Sequence, residues 1–421
     1  MRPQTDVDVI VVGAGLAGLA CAQDLTAEGL RVRVLEGSDA VGGRMRTDLV
    51  RGFRLDRGFQ VFNTAYPQVR RRIDLRALRL RPFTPGFVLA GKRGRFRFAD
   101  PTRRPDLAAD LLPGRLAPAR DMIALGLLSA RDMVLPAAVL RHGADVTAAR
   151  ALAAAFSAGT VDSVLRPFLA GVFLEDDLET SSRMFHLVWR SMLRGTLCLP
   201  AEGIGAVPAQ LAGRLPPGAV RLETRVADLT DGGVRLADGT EHAAPVVVVA
   251  TEPAEAGRLL PALEVPATRA VTTLYHAAPA SPLREPTLLV DSDRVLLNSV
   301  VLSEVVPGCS GDGRSLVSTS VLGAGADGPD EAVVRGRLAE LYETDTADWE
   351  HLADYRIPAA LPAMPAPHPL SRSTRAGVGR YVCGDHRATG SVQGALASGA
   401  RAAREVLTDW DARVRAEAAA R

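Results

Sequence analysis

The residues Gly13-Ala14-Gly15-Leu16-Ala17-Gly18 follow an apolar run, Val7–Val12, and open a helix-like stretch that reaches Glu28. Three glycines at this spacing suit a pyrophosphate. Gly13 permits a tight turn, Gly15 lets the backbone approach the phosphates, and Gly18 lets the helix pack on the strand. The helix start, at Leu16 and Ala17, offers free N–H groups and the positive end of a dipole. Glu36 closes a second apolar run, Arg31–Leu35, where a carboxylate can accept hydrogen bonds from both ribose hydroxyls. Strand, glycines, helix, strand and acid fall in the order a dinucleotide requires. An ordinary tight turn with a surface glutamate would share the glycines.

Two further motifs point to the same kind of ligand. Gly42-Gly43-Arg44, with Thr47 beyond it, places a glycine pair and a guanidinium fork where they can meet a pyrophosphate from its other side. Far along the chain stands Tyr381-Val-Cys-Gly384-Asp385, then Gly390-Ser391-Val392-Gln393-Gly394. An acid after a strand can bind a ribityl hydroxyl. The start of the following helix, at Val392, can stabilise negative charge on the N1–C2=O edge of a reduced flavin. Taken singly, each motif could be a glycine turn or a plain strand–turn–helix.

Together, Gly13–Gly18, Glu36, Gly42–Thr47, Gly384–Asp385 and Ser391–Ala400 resemble the flavin amine oxidase superfamily. That group includes monoamine oxidases, protoporphyrinogen oxidase and phytoene desaturases. Leu199–Pro208 is similar to its P-x-G-G-M-x-x-L-P segment, with Glu202 in place of the first glycine. Arg225-Val226 resembles the start of its adenine-side strands, which implies a backbone contact from Val226 to adenine. Tyr355–Pro358 and Ala360–Pro362 resemble the proline-rich segment near the flavin in protoporphyrinogen oxidases.

The resemblance implies FAD, hydride transfer from a substrate C–H to flavin N5, and reoxidation by oxygen or another acceptor. Such oxidations often need no side-chain base. Many amine oxidases set a lysine, through a water, at flavin N5; the only lysine here is Lys92, in a basic hairpin turn. Ser391 stands where amine oxidases carry an aromatic residue. The run Ser391–Gly399 looks more like a desaturase or porphyrinogen oxidase. No cysteine matches the position of covalent flavin attachment, so the FAD is expected to be non-covalent. Asp56–Gln60 matches the segment beside the isoalloxazine ring, which makes Gln60 a candidate for bonding flavin or substrate, or for satisfying backbone. His386 follows the flavin acid and is a candidate for catalysis or for capping the turn. Tyr355 is a candidate pocket residue, with a strand role as its alternative. Two rival functions share the fold: an isomerase using reduced FAD, and a non-redox binding protein like the Rab GDP-dissociation inhibitors.

Composition narrows the setting. The chain has 421 residues, 47% of them apolar, and a formal net charge of +2, so no overall field argues for nucleic acid. Cys21, Cys198, Cys309 and Cys383 form no C-x-x-C pair, and the histidines are scattered, so neither a disulfide framework nor a metal is expected. The start of the chain lacks a basic n-region and cleavage site, and no apolar run reaches the roughly 18 residues of a membrane span. The expected setting is cytoplasmic, with a small-molecule substrate, apolar or amine-bearing, and room for peripheral membrane contact. The arginine-rich stretch from Arg70 to Arg104 reads as a solvated hairpin face, with an anionic substrate, lipid or partner as the sharper alternative.

These motifs need a scaffold. The expected fold is α/β: a discontinuous Rossmann-like FAD-binding domain from residues 1–70, 196–265 and 370–421. Beside it we expect an α+β substrate domain, from 71–195 and 266–369, with helices and a mixed sheet. Strands are expected at Phe87–Leu89 and Arg95–Phe98 around a turn, at Val220–Leu229, Gly233–Leu236 and Pro245–Ala250, and at Val271–Tyr275, Thr287–Val290, Val295–Leu302 and Leu316–Val321. Residues 105–194 read mainly as helices, with Gly195 ending the last; further helices are expected near Glu331–Glu343 and Val392–Leu407.

Overall fold

In strand β1 (Val9–Val12), Val9 and Val11 enter one core cluster while Ile10 and Val12 enter another, and all four are buried. A strand apolar on both faces belongs inside a parallel sheet covered on both sides. The computed structural model, which describes residues 7–107, 116–325 and 330–419, has that arrangement. β1 pairs in parallel with β2 (Val32–Leu35) on one side and with Val246–Val249 on the other. The whole sheet runs in the order 220–221, β2, β1, 246–249, 380–382, 375–377, and only the last strand is antiparallel to its neighbour.

One face of this sheet is covered by helix α1 (Leu16–Ala27) and the C-terminal helix Val392–Ala419, joined through Leu19, Leu25, Leu396 and Val406. The two helices touch backbone to backbone: a Cβ on Gly399 would stand 2.1 Å from the Ala17 carbonyl oxygen. The other face carries a three-stranded meander, 226–230, 233–236 and 241–243, and the helix Pro253–Leu259.

A second sheet has seven strands in the order 350–362, 268–278, 315–322, 298–301, 288–291, 86–91, 94–99. It is mixed, because 288–291 runs parallel to 86–91 while every other pair is antiparallel. The helix Glu331–Tyr342 packs on it through Val334, Leu338 and Leu341. Arg337 fastens that helix by donating to Asp291 at 2.6 Å and Asp293 at 2.7 Å. Asp291 is wholly buried, and a carboxylate survives there only with its charge paired.

The expected single strand Val220–Leu229 is two. Val220–Arg221 edges the parallel sheet, and Val226–Thr230 belongs to the meander. Between them Glu223 N–H bonds the Ser38 carbonyl and Thr224 N–H bonds the Glu36 carbonyl, so the chain follows the loop after β2 before changing sheets. The proline-rich segment is the end of one long strand, Glu350–Pro362. It lies at the sheet edge, where proline's missing N–H costs least. The helical stretch resolves into Ala119–Val134, Ala137–His142, Ala148–Ala155, Arg166–Phe173 and Ser182–Arg194, with Gly195 as the final cap. Residues 108–115 of that stretch lie outside the described residues. Part of the basic stretch is engaged in ion pairs, among them Arg72 with Asp24, Arg79 with Glu202, Arg97 with Glu285 and Arg104 with Asp106. Phe96 and Phe98 pack inward on the same core as Phe87.

Candidate functional site

The three glycines of the first turn divide their roles. Gly13 has φ +105°, and a Cβ there would lie 2.8 Å from the Ala250 carbonyl oxygen, so only glycine makes the turn. A Cβ on Gly18 would lie 2.1 Å from the Gly13 carbonyl oxygen, so Gly18 sets the approach of α1 to β1. Gly15 differs: a Cβ there would meet nothing within 4 Å. It precedes α1 with no capping side chain and no acid in the first turn, leaving backbone N–H groups turned to open space.

The second glycine turn rests on the first. Gly42 N–H donates to the Ala14 carbonyl at 2.9 Å, and a Cβ on Gly43 would come 3.6 Å from Gly15 Cα. Glu36 is gripped by both loops: its carboxylate accepts from Ala14 N–H at 2.7 Å and from Ser38 N–H and Oγ at 3.0 and 2.6 Å. Val226 is buried where the meander starts, beside the chain that runs along Glu36.

Arg44 then crosses the molecule. It donates to Asp385 Oδ2 at 2.6 Å and to the Ala360 carbonyl at 2.6 Å, closing contacts over 341 and 316 residues of sequence. Asp385 is 5% exposed, on the turn after strand Arg380–Val382. Gly384 Cα is approached so closely that a Cβ would sit 2.4 Å from His386 Nδ1. The C-terminal helix begins at Val392, where Ser391 Oγ accepts from Gly394 N–H at 3.0 Å. Because Gly399 rests on Ala17, the start of that helix projects past the start of α1. The three remote motifs are thereby brought into one region.

The three candidates for chemistry fall out differently. Gln60 Nε2 donates to the Arg44 carbonyl at 2.7 Å, so it braces the arginine loop. Tyr355 donates to Asp48 Oδ2 at 2.9 Å and packs edge-on to Tyr275 at 5.8 Å. Burial and the Asp48 carboxylate both push its phenol up, so it stays a proton donor. Burial alone would raise Asp48, but hydrogen bonds from Arg57 and Tyr355 hold its carboxyl below the usual range. His386 is 2% exposed, and neither ring nitrogen has a hydrogen-bond partner among the described residues. Burial drives its imidazole down to about 4 against the pull of Asp385, helped by Arg387 and Arg44, so the ring is neutral.

Sequence reasoning missed the knot beneath the site. Asp56 Oδ1 accepts from Thr47 Oγ1 at 2.6 Å and from Ile204 N–H at 2.9 Å, while Gly205 N–H donates to Thr47 Oγ1 at 2.9 Å. Burial pushes the Asp56 carboxyl up to about 6. Gly203, at φ +86°, is there because a Cβ would lie 2.4 Å from Thr47 Oγ1. The signal was the match of Leu199–Pro208 to a family segment, which carried no hint of its partners.

The fold and this double glycine cradle define a dinucleotide-binding class of α/β protein. The chain belongs to the flavin-containing amine oxidoreductase family, whose model matches residues 16–407. A putative flavin-containing monoamine oxidase of Mycobacterium tuberculosis is 55% identical over 57 residues, 14% of this chain and 13% of that protein. Hydroxyneurosporene desaturase of Rhodobacter capsulatus is 48% identical over 58 residues, 14% of this chain and 11% of its own. These curated relatives are therefore matched over only a small part of their length. A crystal structure of a putative protoporphyrinogen oxidase from Exiguobacterium covers 96% of this chain and 99% of its own, with a TM-score of 0.72 at 17% identity, a likeness of fold. The family implies a flavin. The residues present fit one, in the open space over Gly15, the uncapped start of α1, and the buried ring nitrogens of His386.

Proposed function

We propose that this chain is an FAD-dependent oxidoreductase that oxidises a C–H bond of a small apolar or amine-bearing molecule, by desaturation or C–N oxidation. The observation that supports the reading most is the Arg44–Asp385 contact, which joins the arginine loop to the C-terminal acid as one shared cofactor site would require. When bound, FAD supplies the acceptor for the hydride and its electron pair. The chain's own work is binding and orientation. The N–H groups at the start of α1 and the Gly42–Gly43 turn hold the phosphates, Glu36 takes the adenosine ribose, and Asp385 with Arg44 fixes the ribityl end. The start of the C-terminal helix at Val392 favours negative charge on the reduced ring. Division into an FAD-binding part (1–70, 196–265, 370–421) and a substrate part (71–195, 266–369) would set the substrate at their junction.

No side-chain base is needed: neither Tyr355 nor Gln60 offers one, and burial makes the neutral His386 ring a weak one. Tyr355 is committed to Asp48 and Gln60 to a backbone carbonyl. The four thiols are free and buried, which suits a non-covalent cofactor; burial raises those of Cys198 and Cys309 to about 12, far from nucleophilic. Ser391, in place of an aromatic wall, favours a desaturase-like site over an amine cage. The test is anaerobic mixing of the yellow protein with panels of amines, porphyrinogens and polyenes. Loss of the visible flavin band with a polyene or porphyrinogen, and not with amines, is the expected result. Bleaching by amines alone would reverse the preference, and bleaching by none would refute the oxidation reading.

A further inference from the structure

The helix Ala119–Val134 packs Leu125 and Leu128 on the core and buries two aspartates, yet it leaves further aliphatic side chains in solvent. Asp121 and Asp132 are 2% and 0% exposed. Asp121 accepts from Thr160 Oγ1 at 2.5 Å and also from Ser157 Oγ, while Asp132 pairs with His186 Nδ1 at 2.7 Å and Arg131 at 2.7 Å. Meanwhile Ile123, Leu127 and Val134 are 63%, 67% and 76% exposed. Residues four and seven apart share a helix face, so these three form a stripe. Met133 beside Val134, and Val139 on the next helix (Ala137–His142), are exposed as well. A helix already packed through its inner face normally shows water a polar outer face, and an apolar stripe left there marks an interaction surface.

The rim of the patch has one sign. The helix Ser182–Arg194 packs against both helices, and the three together carry Arg120, Arg131, Arg141, Arg183, Arg190 and Arg194. Their only acids are the two buried aspartates, which pair with Arg120 and Arg131 and leave four arginines in excess. Arg190 and Arg194 are held at one end of the stripe by the Met133 carbonyl, each at 2.9 Å. The whole chain has a formal charge of only +2, so this clustering is local. A second copy would set these arginines against their own kind. An apolar interior beneath a negative surface matches both features.

We propose that this face docks on the surface of an anionic lipid bilayer, with Ile123, Leu127, Val134 and Val139 entering the acyl boundary and the arginines meeting the headgroups. Among the described residues no helix is long and apolar enough to cross a membrane, so the contact is peripheral. The inference does not depend on which reaction the protein catalyses.

The test is flotation of the flavin-loaded protein with two kinds of vesicle. One is phosphatidylcholine alone; the other is an equal mixture of phosphatidylcholine and phosphatidylglycerol. Binding is expected only to the mixed vesicles and should weaken as salt screens the arginines. Ile123→Ser and Leu127→Ser should each lower partitioning about tenfold. Flavin content and Tm should be unchanged in both, and Val414→Ser, at an exposed valine of the C-terminal helix, should float like the parent. Absence of flotation, or serine variants that float as well as the parent, would overturn the proposal. So would a dimer that these variants dissolve without any vesicle binding, which would make the face a contact between copies. Binding of poly-glutamate in place of vesicles would also overturn it, in favour of an acidic protein partner.

Discussion

Gly15 and Gly18 sit three residues apart, yet the fold demands only Gly18, while the space over Gly15 is open for the proposed phosphates. Alanine at 18 must push the Gly13 carbonyl, 2.1 Å from its Cβ, so Gly18→Ala should cost about 2 kcal/mol or more in denaturant unfolding. Alanine at 15 meets no protein atom and its backbone is extended, at φ −72°, so the apoprotein should change by under about 0.5 kcal/mol. FAD affinity, read by fluorescence quenching, should nonetheless fall in Gly15→Ala. Equal affinity would mean that no phosphate lies over that carbon. His386 and Asp56 make opposite predictions in pH. The folded imidazole titrates near 4 and the unfolded one near 6.5, so its stability is complete above about 6.5 and is lost as pH falls toward 4. The Asp56 carboxyl titrates near 6 in the fold, above its unfolded value near 3.8, so its stability is complete below about 3.8 and is lost as pH rises through 6. Between about 4 and 6 the two slopes oppose each other. Apoprotein unfolding of His386→Phe should therefore lose stability with rising pH there, while Asp56→Asn should gain it more steeply than the parent. Parallel profiles in all three would show that neither group titrates as described.

At the scale of elements, legibility followed sequence distance. The first βαβ unit could be read because strand, turn, helix and acid follow one another in order, even though the atom that crowds Gly13 is the remote Ala250 carbonyl. The hairpin at 86–99 and the cap at Gly195 were equally local. What the sequence withheld was pairing across the fold. Nothing in the spacing tells that Arg44 meets Asp385, that Tyr355 meets Asp48, or that Thr47, Asp56 and Ile204 share one carboxylate. The split at Leu222–Arg225 was invisible because both halves are good strand sequence, and only the backbone bonds to Glu36 and Ser38 part them. The Arg44–Asp385 contact also carries a measurable consequence. Asp385→Asn keeps the shape and removes the charge pair, and a charged hydrogen bond is worth about 1.5–3 kcal/mol, so FAD should bind about 10- to 100-fold more weakly. An unchanged dissociation constant in equilibrium titration would separate Asp385 from the cofactor.

For the whole molecule, the order of strands bears on how the flavin would meet oxygen. Arg44 reaches Ala360 on the strand at one edge of the seven-stranded sheet, whereas Lys92 sits on the hairpin turn at the opposite edge. At about 4.8 Å per strand the separation is about 25 Å. The only lysine thus stands far from Arg44 and the proposed flavin, and reduced protein mixed with aerated buffer should recover its visible band over seconds or longer. Recovery within the mixing time of a stopped-flow instrument would show that oxygen activation here needs no lysine. The account as a whole rests on convergence: two glycine turns near the start and an acid and helix near the end form one cradle for one flavin nucleotide. The most direct measurement is to precipitate the freshly purified protein with acid and assay the supernatant for FAD, with titration of FAD into any flavin-free fraction. The account predicts about one FAD per chain, all of it released. A colourless protein that takes up no FAD on titration would contradict it.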